Sequence, residues 1–121
     1  MPSFGTLKAD TLTHSTAGSL TTDYVVNGSA KAHFHYSGTA NVIRESLSIS
    51  SISDDAAGDF TVNISNSFAD QYYVFTGHSA SPAYDIDGTP TSSAINFISR
   101  NTSFTKTDYS ENCGAFMGDL A

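Results

Sequence analysis

Residues 43–64, IRESLSISSISDDAAGDFTVNI, carry the clearest fold signal in this chain of 121 residues. Apolar and polar residues alternate on both sides of an acidic turn at residues 54–58. Alternation over such short runs is typical of β-strands that bury one face. Phe60, Val62 and Ile64 are therefore predicted to face the core from one strand of a β-hairpin.

Similar patterns continue along the chain, and no window of 11 or more residues keeps a helical period. The aromatic and β-branched run at residues 71–77 is expected to be buried on both faces. Closely spaced strands with almost no helix predict an all-β fold, an antiparallel β-sandwich or jelly-roll-like domain. Further strands are predicted at residues 30–36, 42–47, 94–100, 102–109 and 113–117, with a long loop at 79–91.

The first part of the chain differs from the rest. Strands are predicted there at residues 5–13 and 20–26, around a turn at 14–18. Few large apolar residues are present, so burial within this segment alone cannot offset the entropy that is lost on ordering. We interpret residues 1–28 as an extended N-terminal arm that lies against its own domain or another chain, and residues 29–121 as the sandwich. The candidate anchoring residues of the arm are Leu7, Leu12 and Leu20.

Composition narrows the classes of function. Lys plus Arg number 5 against 12 for Asp plus Glu, a net charge of -7, which disfavours nucleic acid as a partner because phosphate contacts need clustered cations. Cys113 is the single cysteine, so no internal disulfide can form. No apolar run approaches the ~20 residues of a membrane span, and the N-terminus lacks the basic leader and apolar core of a secretory signal. A chain made in a cytoplasm, without membrane insertion, is expected.

Several strand segments resemble a family of phage tail-fibre-like domains from phages of aquatic bacteria. Residues 30–38 (AKAHFHYSG) are similar to the family's Ala-Lys-Ala-Trp strand. Residues 43–52 (IRESLSISSI) and 58–64 (GDFTVNI) are similar to its IRDSFNVSSI and GDYTVNF motifs. Further similarities to the family lie at residues 7–12, 68–72 and 115–119.

The chain departs from the family pattern at a few positions. His33 stands where the family has tryptophan, and Cys113 and Gly114 replace apolar β-branched residues. The acidic turn replaces one that is rich in asparagine and glycine. None of these changes contradicts the strand plan. The resemblance implies a virion appendage, a homotrimer made in the host cytoplasm, which exposes a β domain to a host surface.

His33 and His35 are the candidate metal ligands. They lie two residues apart on a predicted strand, so their imidazoles share a face of the sheet. If this face met the axis of a trimer, the imidazoles of the copies would form a ring able to hold a transition metal. The alternative is two ordinary surface or interface histidines. No other cofactor is expected.

The candidate receptor-contact residues are Tyr36, Tyr84, Asp85 and Asp87. Aromatic side chains on loops and strand ends are typical of carbohydrate or protein contact. The two tyrosines could instead cap the core or fill a subunit interface. Asp85 and Asp87 precede Gly88 as at the start of a calcium loop, but no glutamate follows at the required distance. The alternative for these acids is a solvated loop that resists edge pairing.

No catalytic constellation stands out. Asp54, Asp55 and Asp59 surround a hairpin turn, where they would splay into water rather than face one another across a glycosidase cleft. The chain has no G-x-S-x-G nucleophile elbow. Cys113 lies beside Gly114 and has no basic neighbours in sequence that would favour a thiolate. We predict that the chain is not an enzyme.

These observations together predict a structural protein of a virion. The leading hypothesis is a short trimeric tail fibre or tail-tip protein that binds a host surface glycan or protein through shape, aromatic contacts and multivalency. The arm is expected to contact neighbouring subunits or other virion proteins. The alternative is a capsid decoration or cement protein, or a head fibre, which needs no receptor.

Overall fold

A computed structural model of the chain describes Gly5 and residues 8–121. Strands take up 54% of it and helix 6%, so the predicted all-β class is confirmed. The elements in chain order are β1 Thr11–His14, β2 Gly18–Thr21, α1 Thr22–Gly28, β3 Ala30–Ser37, β4 Val42–Leu47, β5 Ile49–Ala56, β6 Asp59–Ile64, β7 Val74–Ser79, β8 Ala83–Ile86, β9 Ala94–Arg100 and β10 Asn112–Met117.

Eight of the strands form two sheets that face each other. The first sheet has the order β4-β3-β10-β7 and the second the order β5-β6-β9-β8. Every pairing within them is antiparallel. The predicted antiparallel β-sandwich is therefore confirmed. β1 and β2 pair only with each other, outside the sandwich.

Alternate residues of the strands fill the space between the sheets. Phe60, Val62 and Ile64 are all buried, as their alternation predicts. Phe97 lies at the centre and is fully buried. Its ring centroid lies 5.7 Å from that of Phe34 in the opposite sheet and 5.7 Å from that of Phe60 on the neighbouring strand. Aromatic pairs at these distances stabilise a core by about 0.5–1.5 kcal/mol each beyond their buried area.

The sandwich has outer strands along both sides, and the chain crosses between the sheets at each side. β4 leads directly into β5 through Ser48, whose φ of 54° carries the chain from the first sheet to the second. On the other side, β7 and β8 are the outer strands of their sheets. They are joined by residues 80–82 and belong to different sheets, so this side keeps two unpaired strand edges within the described part of the chain.

The hairpin between β5 and β6 turns at Ala57 and Gly58. The predicted acidic turn is thus shorter than expected, because Asp54 still pairs with Phe60. Gly58 has a φ of +65°, and its N–H donates to Asp108 Oδ1 at 2.6 Å. A Cβ at this position would lie 2.2 Å from the backbone nitrogen of Thr107. Only glycine fits here, since the conformation is left-handed and the neighbouring backbone is too close.

Two predicted elements on the C-terminal side are wrong. Residues 102–109 form a loop rather than a strand, since the Asn101 side chain accepts the N–H groups of Ser103 and Thr105 at 2.9 and 3.1 Å and holds a turn. The predicted loop 79–91 contains β8, because Tyr84 pairs with Ser99 in the second sheet.

The run at residues 71–77 is not buried on both faces. Its strand begins at Val74, which is 61% exposed, and the preceding Tyr72 is 80% exposed. Tyr73 and Phe75 pack against the core instead. β7 is an edge strand with one inward face, so half of its apolar side chains point away from the core.

The described part of the N-terminal arm forms a two-stranded hairpin followed by a short helix. Leu12 of β1 lies opposite Leu20 of β2, and both are exposed. The strand predicted for residues 20–26 is wrong from Thr22 onward, where α1 begins. From residue 10 to residue 29 every residue is exposed except Thr22, which is half-buried. The third anchoring candidate, Leu7, lies outside the described residues.

Two glycines with positive φ allow a matched test of the turn. Gly58→Ala is expected to lower the free energy of unfolding by about 2–5 kcal/mol, since left-handed strain and backbone overlap add together. Gly88 has a φ of +74° but open space around it, so Gly88→Ala should cost only about 1–2 kcal/mol. Urea unfolding of both variants measures the difference. Equal losses would show that the close approach at Gly58 does not matter.

Candidate functional site

A cleft of about 500 Å³ opens between the edge strands β7 and β8. We call it the edge cleft. Its walls come from both sheets and from the loops beside them. Its main lining residues are Tyr73, Phe75, Tyr84, Ile86 and Pro90. A concave site of this size with aromatic walls is typical of binding sites in proteins.

The floor of the edge cleft depends on two glycines. The ring of Phe75 lies across Gly77 on its own strand and Gly114 on β10. A Cβ on either glycine would come within 2.3 or 2.2 Å of that ring. Phe75 also packs against Phe97, with ring centroids 4.5 Å apart. The same ring therefore belongs to the cleft and to the core.

Tyr84 forms one wall of the edge cleft from the inner face of β8. Its ring stacks on Phe97 with centroids 5.4 Å apart and planes 11° apart. Its hydroxyl is buried and has no hydrogen-bond partner among the residues that the structure describes. Burial, with a smaller contribution from Cys113, raises the pKa of the Tyr84 phenol. The prediction that Tyr84 is an exposed loop residue is wrong, because the segment joins the second sheet and turns the ring inward.

Tyr36 is likewise a core residue and not an exposed contact. Its side chain is 1% exposed, and its ring centroid lies 4.9 Å from that of Phe60. Its hydroxyl donates to Asn41 Oδ1 at 3.0 Å. Burial is the main cause that raises its pKa. The alternation of β3, which buries Ala32 and Phe34, continues to this residue, and the exposure expected for a strand end was wrong.

Asp85 and Asp87 are exposed, as expected. Asp85 lies on β8, and its carboxylate accepts the N–H of Ile86 at 2.8 Å. Asp87 follows the strand and forms an ion pair with Lys106, whose Nζ is 3.4 Å from Asp87 Oδ2. These acids are available to an external partner but do not converge on one point. Their role as receptor contacts stays a prediction.

Lys106 also binds Asp59, the most enclosed carboxylate of this corner, with a side chain 16% exposed. Asn96 donates to the same carboxylate at 2.9 Å. Burial acts to raise the pKa of Asp59, but the hydrogen bonds from Lys106 and Asn96 outweigh it and hold the pKa below its ordinary value. These contacts connect β6 and β9 to the loop after β9. The Asp59 carboxylate therefore has a structural role.

His33 and His35 share the outer face of the first sheet, as predicted. The Nε2 atom of His35 lies 2.5 Å from Glu111 Oε2, and that of His33 lies 3.9 Å from Glu45 Oε1. Arg44 also binds Glu111. Hydrogen bonds from Arg44 first and His35 second lower the pKa of the Glu111 carboxyl. Both imidazoles thus face carboxylates on neighbouring segments.

Strand register places two further residues beside these histidines. Cys113 lies opposite His35 on one side and His78 on the other, all on the outer face. In the described part of the chain, no group of three or more histidine, cysteine or acidic side chains is arranged to hold a metal ion. The histidine ring across a trimer axis stays a prediction. The sequence does not predict that His78 lies beside Cys113, because this position depends on the pairing of β10 with both β3 and β7.

Comparison with known proteins identifies no family for this chain. Among the described residues, no helix has the length and apolarity that crossing a membrane requires. No model of a known protein family matches the chain, and neither the curated proteins nor the solved structures give a significant match. The resemblance to phage tail-fibre-like domains therefore stays a prediction.

The buried hydroxyl of Tyr84 gives a sharp test of the cleft wall. Tyr84→Phe keeps the stack on Phe97 and removes a polar group that lacks a partner, so the protein should become more stable by about 1 kcal/mol. Tyr36→Phe is the matched control, since its hydroxyl is bonded to Asn41 and its removal should cost about 0.5–1.5 kcal/mol. Urea unfolding measures both. A loss of stability in Tyr84→Phe would mean that the hydroxyl is satisfied.

The lowered pKa of Asp59 predicts a pH dependence of stability. A group whose pKa is lower in the folded state stabilises the fold above its unfolded pKa of about 4 and loses this effect as the pH falls through the folded pKa. Asp59→Asn should therefore be less stable than the parent at pH 7, and the gap should close below about pH 4. Thermal unfolding from pH 2 to pH 8 measures it, with Asp54→Asn, at an exposed position of β5, as the control. A gap that is independent of pH would contradict the ionic role.

Proposed function

We propose that the chain is a structural component of a phage virion, most simply a short trimeric tail fibre or tail-tip protein that contacts the host surface. The observation that carries the proposal is the state of the N-terminal arm. Its described residues form a hairpin and a short helix, yet large apolar side chains among them are exposed. These side chains are Leu12, Leu20, Tyr24, Val25 and Val26, and each is at least 42% exposed.

An arm of this kind is stable only against a neighbour. An isolated two-stranded hairpin is marginally stable in water. The helix that follows, α1, buries no residue and has no side-chain hydrogen bond at its N-cap. Contiguous exposed apolar side chains mark surfaces for protein contact. We infer that the arm packs against a second copy of the chain or against another virion protein.

The sandwich carries a second apolar surface beside the point where the arm leaves it. Ala30, the first residue of β3, lies opposite Met117, and Met117 lies opposite Val74. Val74 is 61% exposed on the outer face. We infer that the arm and this corner are covered together in an assembly of identical copies, such as a closed trimer.

Binding to a host would need no reaction chemistry. Three copies that each hold a weak site gain avidity when they are fixed on one particle. The exposed acids Asp85 and Asp87 lie at the rim of the sandwich and remain the candidate contacts for a host glycan or protein. The proposal places the chain on the virion and assigns it no enzymatic activity.

A second candidate is a capsid decoration or cement protein, or a head fibre, without receptor binding. The burial of Tyr36 and the inward ring of Tyr84 favour it, because they remove the two aromatic side chains that were expected to contact a receptor. The arm would serve the same purpose in both candidates, which differ in the position of the protein on the particle.

The first test is the mass of the assembly. Light scattering should give about three times the chain mass of 12.8 kDa. The variant Leu12→Gln/Leu20→Gln should shift it toward the monomer, because it removes the apolar pair of the hairpin. Thr13→Gln/Ser19→Gln changes the neighbouring pair, which faces the other side of the same hairpin, and should leave the mass unchanged. A monomeric parent protein would overturn the arm-mediated assembly.

Position on the particle separates the two candidates. Immunogold labelling of purified virions with an antibody against this chain should mark the tail tip if the protein is a tail fibre. Label across the shell would support the decoration protein instead. Virions that carry no label, from a host in which the chain is expressed during infection, would contradict both.

A further inference from the structure

We propose that residues 20–26 of one copy occupy the edge cleft of a neighbouring copy as an added β-strand. This inference rests on the proposed assembly through the arm, but not on the assignment to a virion. It names the docking site that the arm uses. It also explains why the cleft and the exposed arm occur in the same chain.

The edge cleft has the chemistry of a site for extended polypeptide. The inward residues of its two edge strands are apolar or glycine: Phe75 and Gly77 on β7, and Tyr84 and Ile86 on β8. Thr76 and Asp85 also line the cleft, but the alternation of their strands turns their side chains toward the outer face. The other polar groups of the cleft include the Tyr84 hydroxyl and the backbone N–H and C=O groups of the two strand edges. An added strand satisfies the backbone groups of these edges, as in β-strand addition.

The arm segment has the matching pattern. In an extended chain Leu20, Tyr24 and Val26 lie on one face, since every second residue points the same way. The segment is also rich in β-branched residues, which favour strands. Thr22 shares this face, and the other face carries Thr21, Asp23 and Val25. The occupant that we name is therefore a strand with one mainly apolar face, which suits the apolar inward residues of the cleft.

The helix that now holds this segment offers little resistance to the change. α1 has 7 residues, no buried residue and no side-chain cap, and isolated helices shorter than about 12–15 residues are marginal in water. Its loss gives up little free energy. Removal of the exposed leucine, tyrosine and valine side chains from water is favourable, so strand addition gains more than this short helix provides.

A second copy is the occupant that fits the geometry. Within its own chain the arm lies free of the cleft, since every residue from 10 to 29 is exposed except Thr22. The arm leaves the sandwich at Ala30, in register with Met117 and Val74 of the strand that bounds the cleft. An arm that enters the next copy in this way makes a head-to-tail contact, which closes into a ring when the rotation permits.

Disulfide trapping between copies tests the proposal. Every chain carries Cys113→Ser, so that only introduced thiols react. Leu20→Cys, Tyr24→Cys and Val26→Cys are made in separate chains and each is mixed with an isotope-labelled chain that carries Ile86→Cys. Because a disulfide needs Cα atoms within about 7 Å, at least one arm position should form a mixed disulfide, detected by mass spectrometry. Docking raises the effective thiol concentration to about mM, so the rate should exceed that of a random encounter at μM by about 10²-fold or more.

Two controls test which face of the added strand enters the cleft and whether the arm docks at Ile86. Asp23→Cys points to the opposite face of the added strand and should react more slowly with Ile86→Cys. Val42→Cys lies on β4, at the side of the sandwich opposite the edge cleft. Its exposure is 46% against 40% for Ile86, and it should trap no arm position. Equal trapping at positions 42 and 86 would overturn the proposal, because it would show random collision.

The remaining outcomes separate this inference from the assembly itself. If the parent protein has the trimer mass but no arm position is trapped at Ile86→Cys, the docking site is wrong and the assembly stands. If the parent protein is monomeric, both fail. A chain that carries Val26→Cys and Ile86→Cys together and forms only an intrachain disulfide shows that the cleft takes its own arm, which contradicts a second copy as the occupant.

Discussion

Contact between the two sheets depends on Phe97, and the rest of the structure is arranged around that ring. Phe34 and Phe75 reach it from the first sheet, and Tyr84 stacks on it from the neighbouring strand of its own sheet. Within the part of the chain that the structure describes, no helix packs on either face of the sandwich. Large rings between the sheets therefore supply most of the burial that holds it together. Phe75 can reach this position only because Gly77 and Gly114 leave room for its ring. The floor of the edge cleft is consequently part of the core, and a ligand that moves Phe75 would also change the packing of Phe97. Any partner of this cleft is therefore expected to alter the stability of the whole sandwich, since the two share one ring.

Much of the strand pattern could be predicted from the sequence, because burial on one face of a strand leaves a direct trace in alternation. Phe60, Val62 and Ile64 show it most clearly. The wrong predictions concern strands whose exposure is decided by their position in the sheet and not by their own sequence pattern. The aromatic run that contains Val74 has the composition of a central strand, but β7 lies at an edge and exposes one face. β8 was missed for the complementary reason, since Ala83–Ile86 is too short for its own pattern to outweigh the flanking glycine and prolines. Composition reports the tendency to form a strand, and only tertiary pairing sets where that strand lies.

The candidate site was harder to predict, because its parts come together through register. Local sequence placed Tyr36 and Tyr84 near turns, and this favoured exposure. The structure turns both rings inward, since each falls on the inner side of its strand. His33 and His35 could be assigned to one face from their spacing alone. The position of His78 beside Cys113 could not, because it depends on how β10 pairs with two strands that are distant in sequence. A site built across sheets from single residues leaves no local motif.

The arm shows how weakly local sequence fixes structure when no core is available. Residues 20–26 have the alternation and β-branched residues of a strand, yet in the single chain they complete a short hairpin strand and then form a helix that buries nothing. Propensity differences between helix and strand amount to a few tenths of a kcal/mol per residue, whereas burial of one large apolar side chain is worth about 1.5–3 kcal/mol. The contact that the segment finds therefore outweighs its intrinsic preference. Under the proposed assembly, the segment is the helix of the single chain before it meets a neighbour and becomes the predicted strand afterwards. An edge cleft with unpaired backbone groups is the kind of contact that would select the strand.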